Sequence, residues 1–352
     1  MIDVTALCEQ GWIPDPLARL GMRRLIRERM REEGGGRPDL RARRQEAFFE
    51  SLRRGPIALA TDDANAQHYE VPAAFFELVL GKRLKYSCAY YDGPSVTLDE
   101  AEERMFALTC QRAGVEDGMR IMDLGCGWGS LSLWLAEHYP NSRITALSNS
   151  HGQRAHIEAR AQAAGFDNLK VITANVSEFD FDFANGSSED ARFDRVMSIE
   201  MFEHMRNYRA LLERVASWLA PEGKLFTHVF CHRDFGYHYE SGDGWMERYF
   251  FTGGIMPRED QFAQFPEVMK LDQRWWVEVT HYERTCNDWL AKLDAQRSAV
   301  ADALVGTYGP ESVSIWVQRW RMFFLACAEL FGIDNGRQYG VVHSLCSPIR
   351  KP

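Results

Sequence analysis

Three alternating glycines, Gly125, Gly127 and Gly129, stand in the segment "RIMDLGCGWG", between an apolar run and a helical pattern. Glycine permits a tight turn and lets backbone N–H groups and a helix N-terminus approach a ligand closely. A dinucleotide fingerprint would read G-x-G-x-x-G and place an acidic residue after the second strand. This chain has G-x-G-x-G, followed by the uncharged Ser148 and Asn149. The loop therefore predicts a cofactor site but disfavours a nicotinamide cofactor; the alternative is a glycine turn that only joins a strand to a helix.

The segment "SIEMFEHM" carries Glu200, Glu203 and His204. Because these residues stand at i, i+3 and i+4, a helical turn would place all three on one face. Parallel strands carry their sites at their carboxyl ends, which is where this segment falls. The segment is therefore a candidate for acid–base chemistry. The alternative is that the carboxylates only stabilise the first turn of a helix through its dipole.

The elements that must position these residues alternate along the chain. Five apolar runs are separated by helical patterns: "RIMDLG", "RITALS", "LKVITAN", "FDRVMSIE" and "GKLFTHVF". This alternation predicts βαβ units, and hence a mostly parallel sheet with helices on both faces. We expect three regions: N-terminal helices over residues 1–68, broken by "EEGGGRPD"; an α/β core over 69–231; and an aromatic, helical cap over 232–352.

Charge is distributed unevenly along the 352 residues. Residues 19–54 contain twelve arginines and six acidic residues, a local +6, and the net charge of −9 then leaves −15 for the other residues. An acidic protein of this kind is not expected to bind nucleic acid. The basic N-terminal segment suits an anionic membrane or a partner, but the interspersed Glu28, Glu32 and Glu33 favour a solvated helix with Arg–Glu pairs.

Targeting and metal signals are weak. The sequence has no signal-peptide pattern and no run of about 18 apolar residues, so we expect a cytoplasmic protein without stable membrane insertion. The eight cysteines never form a C-x-x-C pair. We therefore expect reduced thiols and no metal site. A homodimer is compatible with the sequence.

The motifs carry a family resemblance. "DLGCGWGS" resembles the S-adenosylmethionine loop of class I methyltransferases. "HYEVPAAFFELVLGKRLKYSCAYY", "SNSHGQ", "SIEMFEHMRNY" and "WMERYFFTGGIMP" resemble the group of cyclopropane fatty acid synthases, mycolic acid methyltransferases and plant coclaurine N-methyltransferases, most of all the last branch. The resemblance implies a Rossmann-like class I methyltransferase fold, S-adenosylmethionine as cofactor, and N-methylation of a small amine, aromatic or alkaloid-like.

The resemblance also implies the cofactor residues. They are Tyr86, Ser87, Asp123, Gly125 and Gly127 at the methionine end and the strand before it, Ser148, Asn149 and Gln153 at the ribose, and Asn175, Val176 and Ser177 around the adenine. Many methyltransferases have Asp at the position of Asn175. An amide is still able to face the adenine edge, so we expect binding to survive this difference.

In the N-methyltransferase branch the counterparts of Glu200, Glu203 and His204 handle the amine. Only a neutral amine has the lone pair that attacks a sulfonium, and an amine that titrates near ~10.4 is about 0.04% neutral at pH 7, a cost of roughly 4.6 kcal/mol. We expect both carboxylates to bind the ammonium form and His204 to take the proton. Alternatively, Glu203 is the base through a water or a bound anion.

The main alternative function is a cyclopropane synthase that acts on phospholipid alkenes. The synthases bind a bicarbonate base through residues that correspond to Cys88, Glu203, His228 and Tyr282. Against this alternative, they have glycine where this chain has Glu200, and a second carboxylate is poorly placed beside an alkene. A cofactor-binding protein without catalysis would be expected to lack the acids and the histidine, which are present.

Aromatic residues are candidates for the acceptor pocket. A wall suited to a cationic or aromatic amine through cation–π contact is expected from Tyr90, Trp245, Tyr249, Phe250 and Phe251, with His228 and Tyr282 as further substrate contacts. The alternative is that aromatics at this spacing belong to the core.

Overall fold

The computed structural model describes residues 4–58, 71–181, 192–239, 244–277 and 280–350. Its strands are β1 Arg120–Leu124, β2 Arg143–Ser148, β3 Leu169–Thr173, β4 Phe193–Ile199, β5 Leu219–His232, β6 Tyr237–His238, β7 Ile255–Met256, β8 Met269–Val277 and β9 Tyr339–Pro348. Seven of them form one sheet in the order β3-β2-β1-β4-β5-β9-β8, and β6 pairs with β7. All five predicted strands are present.

The sheet is mostly parallel, as predicted. The five neighbouring strands β3, β2, β1, β4 and β5 pair in parallel, in that order. Strand β9 is antiparallel to both β5 and β8. The core helices are α5 Leu98–Ala113, α6 Ser130–His138, α7 His151–Ala164 and α8 Tyr208–Trp218. Parallel strands require such crossovers, which cover the sheet and explain why its strands are rich in buried aliphatic residues.

The N-terminal region consists of helices α1 Val4–Glu9, α2 Asp15–Gly34, α3 Pro38–Ser51 and α4 Ala73–Val79. The expected Arg–Glu pairing is confirmed on α2, where Arg24 bonds Glu28 one turn away. Arg19 and Arg23 instead reach across to Glu329, at 2.7 and 2.6 Å. The basic helix is therefore bound to the C-terminal part of the chain as well as solvated.

The remaining helices form the cap. They are α9 Trp245–Tyr249, α10 Thr280–Ala295, α11 Arg297–Tyr308 and α12 Val313–Gly332. The division expected after residue 231 stays a prediction. Strand β5 continues one residue beyond it, to His232, and the region after it also supplies β8 and β9 of the sheet. The boundary expected after residue 68 lies outside the described residues. Within the described ranges, no helix is long and apolar enough to cross a bilayer.

Buried aromatic side chains fix the cap against the edge of the sheet where the glycine loop lies. Phe75 on α4 packs 4.6 Å from Trp320 on α12, centroid to centroid. Phe76 beside it packs against Tyr86 and Trp128, at 5.1 and 5.4 Å. Burial of such large apolar surfaces is the main source of stabilisation between layers. The cap is thus held where it encloses the space above the loop.

Candidate active site

The glycine loop after β1 has the left-handed conformations that its sequence predicts. The φ angles of Gly125, Gly127 and Gly129 are +80°, +52° and +78°. A Cβ atom on Gly125 would lie 2.5 Å from Met201 Cγ, and one on Gly129 would lie 2.5 Å from Ile157 Cγ1. A Cβ atom on Gly127 would meet no described atom within 4 Å. Two glycines therefore permit close packing, and the third leaves open space for a ligand.

Two adjoining cavities surround this loop. The loop cavity, about 70 Å³, is lined among others by Gly125, Gly127, Ser148, Asn149, Gln153, Asn175, Val176 and His204. The aromatic cavity, about 190 Å³, is lined among others by Gly125, Gly127, Gln153, His204, Glu200, Tyr239, Phe251, Tyr282, Trp289, Phe323 and Phe331. Four residues line both cavities, so the two cavities meet beside the glycine loop.

The structure brings ten of the eleven expected cofactor residues to these cavities. Besides those just named, Tyr86, Ser87 and Asp123 line the aromatic cavity. Ser148 Oγ lies 2.6 Å from Gln153 Oε1, which joins the end of β2 to the start of α7. The exception is Ser177, which lines neither cavity in the described part of the chain. Its backbone N–H donates to Asn175 Oδ1 at 2.9 Å and so orients that amide.

Two acidic residues of the described part of the chain line the aromatic cavity, Asp123 at the end of β1 and Glu200. Glu200 is the one that belongs to the expected acid–base segment. It follows β4 with φ at +47°, a strained conformation for a residue with a side chain. Its Oε1 atom accepts hydrogen bonds from Cys88 N at 3.0 Å and from His228 Nε2 at 3.2 Å. Its Oε2 atom accepts from the Tyr282 hydroxyl at 2.5 Å. The carboxyl group is therefore fixed in one orientation by three donors.

The ionisation of Glu200 is balanced near neutral pH. Burial raises the pKa of this carboxyl to about 7, while the Lys85 ammonium and the hydrogen bonds from Tyr282 and Cys88 act in the opposite direction. Lys85 is itself fully buried and donates to Cys88 O at 2.7 Å. A carboxyl group with such a pKa is able to bind a cation when it is ionised.

The helical turn expected over Glu200, Glu203 and His204 is not formed. Glu200 lies before the turn, and residues Phe202–His204 form a single 3-10 turn. Such a turn has three residues per turn, and together with the positive φ at Glu200 it changes the direction in which Glu203 leaves the chain. The predicted common face is therefore wrong, although Glu200 and His204 both reach the aromatic cavity.

Glu203 faces the protein interior. Its side chain is fully buried and lines neither cavity in the described residues. Its Oε1 accepts from Phe230 N at 2.7 Å, and burial raises the pKa of the carboxyl well above its usual range. His204, by contrast, lines both cavities and packs edge to face on Phe251 with ring centroids 4.9 Å apart.

The expected aromatic wall is only partly present. Phe251 and Tyr282 line the aromatic cavity, but Tyr90, Trp245, Tyr249 and Phe250 do not. Phe250 is fully buried among cap residues, and the Trp245 indole donates to a carboxylate of α1. His228 lies behind Glu200 rather than at the cavity surface. From α9 and the two residues after it, only Met246 and Phe251 line this cavity, because the other side chains of this segment point to other sides.

Other aromatic residues complete the wall. Tyr282, Cys286 and Trp289 line it from α10 at positions i, i+4 and i+7, and α12 contributes Phe323, Cys327, Leu330 and Phe331 at similar spacing. This helical periodicity is a signal in the sequence that identifies one face of each helix. The sequence does not indicate that these two faces meet each other across the cavity.

Comparison with known proteins gives the family. A model of the mycolic acid cyclopropane synthetase family matches residues 59–338. An (S)-coclaurine N-methyltransferase of Thalictrum flavum subsp. glaucum is 36% identical over 302 residues, which cover 84% of this chain and 81% of that protein. The solved structure of coclaurine N-methyltransferase bound to N-methylheliamine and SAH has a TM-score of 0.91 and 32% identity, and the match covers 98% of both chains.

A lipid-modifying relative is more distant. The cyclopropane-fatty-acyl-phospholipid synthase of Escherichia coli (strain K12) is 26% identical over 281 residues, which cover 79% of this chain and 66% of that protein. The resemblance inferred from the motifs is confirmed. The chain belongs to the mycolic acid cyclopropane synthetase family, and within that family it is more similar to the coclaurine N-methyltransferases than to the fatty-acid synthase.

Proposed function

We propose that this protein is an S-adenosylmethionine-dependent N-methyltransferase whose acceptor is a small aromatic amine. The observation that carries the proposal is the carboxyl group of Glu200, fixed by three donors in a cavity whose lining is rich in aromatic side chains. Such a cavity suits a ligand that combines an aromatic body with a cationic nitrogen. The similar solved structure is of coclaurine N-methyltransferase bound to N-methylheliamine and SAH.

The residues present fit the cofactor. The open space at Gly127 admits a ligand against the backbone, and Ser148 with Gln153 provides uncharged polar groups for hydroxyls. Asn175 also lines the loop cavity. When bound, S-adenosylmethionine supplies a methyl group on a sulfonium, which an amine lone pair is able to attack. The protein's own residues must then bind, align and deprotonate the amine.

We assign the amine chemistry to Glu200 and His204. The ionised Glu200 attracts the ammonium form of the acceptor, and His204 takes its proton at the junction of the two cavities. Alignment of the nitrogen with the methyl donor contributes further, up to roughly 7–11 kcal/mol in well-oriented reactions. Glu203 supports the turn beneath them through its bond to Phe230 N.

The contacts of Glu200 also weigh against lipid cyclopropanation. His228 Nε2, the Tyr282 hydroxyl and the Cys88 backbone N–H all bond its carboxylate. These are three of the four residues that the synthase alternative requires for bicarbonate. Because a protein carboxylate already receives their hydrogen bonds, the donors are not available to a second anion.

The first test is the product. We expect labelled S-adenosylmethionine to transfer its methyl group to the nitrogen of one or more members of an amine panel that includes heliamine, and not to phospholipid vesicles that contain unsaturated chains. Mass spectrometry of both substrate classes identifies the acceptor. A methylene group added across a lipid double bond, with no amine methylated, would refute the proposal.

The second test concerns the loop. Replacement Gly127→Val fills the open space, and we expect it to weaken S-adenosylmethionine binding by about 1–3 kcal/mol, or roughly 5- to 150-fold, by calorimetry. Gly165→Val is the matched control, because Gly165 also has a positive φ (+73°) and open surroundings but lies at the end of α7, away from both cavities. Equal affinities in the two variants would show that the cofactor binds elsewhere.

The cellular compartment and the oligomeric state are separate proposals. All eight cysteines are free thiols, six of them buried, which suits a reducing compartment, and we propose the cytoplasm. The homodimer stays a prediction, to be tested by measuring the mass of the purified protein in solution.

A further inference from the structure

A chain of hydrogen bonds runs from Glu200 through two buried imidazoles to Arg112. His228 Nε2 lies 3.2 Å from Glu200 Oε1, and His343 Nε2 lies 2.9 Å from His228 Nδ1. Arg112 Nη1 lies 2.9 Å from His343 Nδ1. The fold imposes this order, because His228 on β5 is paired directly with His343 on β9, and α5 supplies Arg112.

The direction of the hydrogen bonds in this chain is fixed by its far end. Arginine is a donor only, so Nδ1 of His343 must accept. Both imidazoles are fully buried, and burial lowers their pKa values well below the usual range, so both are neutral with one N–H each. The proton of His343 is therefore on Nε2 and is donated to His228. The proton of His228 is on Nε2 in turn and is donated to Glu200.

The opposite direction would be required if Glu200 were protonated on Oε1, the atom that faces His228. A protonated carboxyl that donated to His228 Nε2 would move the imidazole protons to the Nδ1 atoms. The Nδ1–H of His343 would then face an N–H of Arg112, and two facing donors at a buried site are costly. We propose that Arg112 and His343 are positioning residues that keep Glu200 in the ionised form needed to bind an ammonium acceptor.

The surroundings of Arg112 support this role. Its guanidinium lies over the Trp275 ring, 5.3 Å from the centroid, and it is half-buried. Among the described residues no carboxylate forms an ion pair with it, whereas most other buried or half-buried arginines of the chain have such a partner. Neither Arg112 nor His343 lines the aromatic cavity in the described part of the chain. Their influence on an acceptor must pass through His228 and Glu200.

Other ionisable groups also face Glu200 and remain in place when Arg112 is changed. They are Lys85, Tyr86 and Cys88 in the segment before α5, Glu203 and His204 on the 3-10 turn, His228 on β5, and Tyr282 and Cys286 on α10. None of them contacts His343 Nδ1 in the described residues. The contribution of Arg112 is therefore separable by substitution at that single position.

The inference rests on the proposed function and is tested by binding rather than turnover. Calorimetry measures the affinity of the SAH-saturated protein for N-methylheliamine between pH 5.5 and 9. We expect affinity to rise through an acidic limb that Glu200→Gln abolishes. In Arg112→Met this limb should move upward by about one pH unit, with roughly tenfold weaker binding below it. Arg112→Lys, which retains a donor-only cation, should restore the wild-type limb.

Two controls distinguish an effect of the hydrogen-bond chain from the general effect of removing a positive charge. Arg104→Met removes an arginine from the same helix, where it is paired with Asp92, and should leave the limb unchanged. His343→Phe keeps Arg112 but breaks the hydrogen-bond chain, and it should move the acidic limb as far as Arg112→Met does. In the double variant the two shifts should not add, because both changes break the same chain. If His343→Phe does not fold, the Arg112 variants at the half-buried end of the chain decide the question.

The outcomes are distinct. An unshifted limb in Arg112→Met, an equal shift in Arg104→Met, or no restoration in Arg112→Lys would overturn this inference while leaving the proposed function intact. A wild-type protein that neither binds N-methylheliamine nor methylates any amine would overturn the proposed function and this inference with it.

Discussion

Replacement of His204 by alanine is expected to lower turnover at saturating amine by about 10²–10⁴-fold, with little change in the affinity for the amine. The imidazole lines both cavities where they join, in contact with Phe251, so it is placed to take a proton from an acceptor that extends toward the cofactor. The effect should appear in kcat rather than in KM, because the lost step is proton removal in the transition state. Steady-state kinetics with a methylated member of the amine panel measures it.

The pH profile gives an independent readout of the same role. Wild-type kcat should rise through the pKa of the bound base, and in His204→Ala this limb should move up toward the pKa of the amine itself. His156→Ala is a suitable control, because His156 packs near the loop on Trp128 but lines neither cavity in the described residues. If His204→Ala keeps normal turnover and Glu203→Gln loses it, then Glu203 is the base and the roles assigned here must be exchanged.

The sheet and the loop were predictable because their signals are local. The inner parallel strands β1 and β4 are short, largely buried apolar runs, and the glycine loop is followed by a helix that begins at Ser130, as expected. Strand β9 was not predicted. It enters the sheet antiparallel, between β5 and β8, after a long helical region, and no local pattern indicates where in a sheet a distant strand will pair.

The triplet shows why the site was only partly predictable. The spacing of Glu200, Glu203 and His204 fits an α-helical face, but the backbone turns at Glu200 with a positive φ, which a sequence without glycine at that position does not suggest. The three donors to Glu200 come from separate elements and tie the strained residue in place. The segment reaches the aromatic cavity through Glu200 and His204, but its spacing does not reveal the direction of each side chain.

Replacement of Glu200 by glutamine is expected to lower kcat/KM for the amine by about 30-fold to 4000-fold. The range corresponds to the ~2–5 kcal/mol lost when one partner of a buried charge pair is removed. Glutamine keeps the shape, since its oxygen is able to accept from Cys88 N and its amide group to donate to the Tyr282 hydroxyl oxygen. Competition kinetics with heliamine and a neutral aromatic analogue of similar size would show that the loss is confined to the cationic ligand.

Glu203→Gln is the matched control for this prediction. It makes the same chemical change three residues away, but at a carboxyl whose pKa burial raises well above its usual range and that lies outside both cavities in the described residues. We expect its kcat/KM to stay within a few-fold of the wild-type value. A large loss in Glu203→Gln together with a small loss in Glu200→Gln would contradict the assignment of Glu200 as the ammonium-binding group.

Thermal stability measured against pH tests whether burial destabilises the ionised carboxylate of Glu200. Its pKa of about 7 in the folded state lies above the usual value of 4.5, so the folded state binds an additional proton between these pH values. The sign follows from proton linkage: wild-type stability is highest, as far as this group is concerned, below pH 4.5 and falls as pH rises through 7. Glutamine does not titrate, so the Tm of Glu200→Gln minus the Tm of the wild type should increase as the pH is raised from 5 to 8.5. A Tm difference that is constant across this range would mean that the carboxyl group of the folded protein does not titrate between pH 5 and pH 8.5, which contradicts a pKa of about 7.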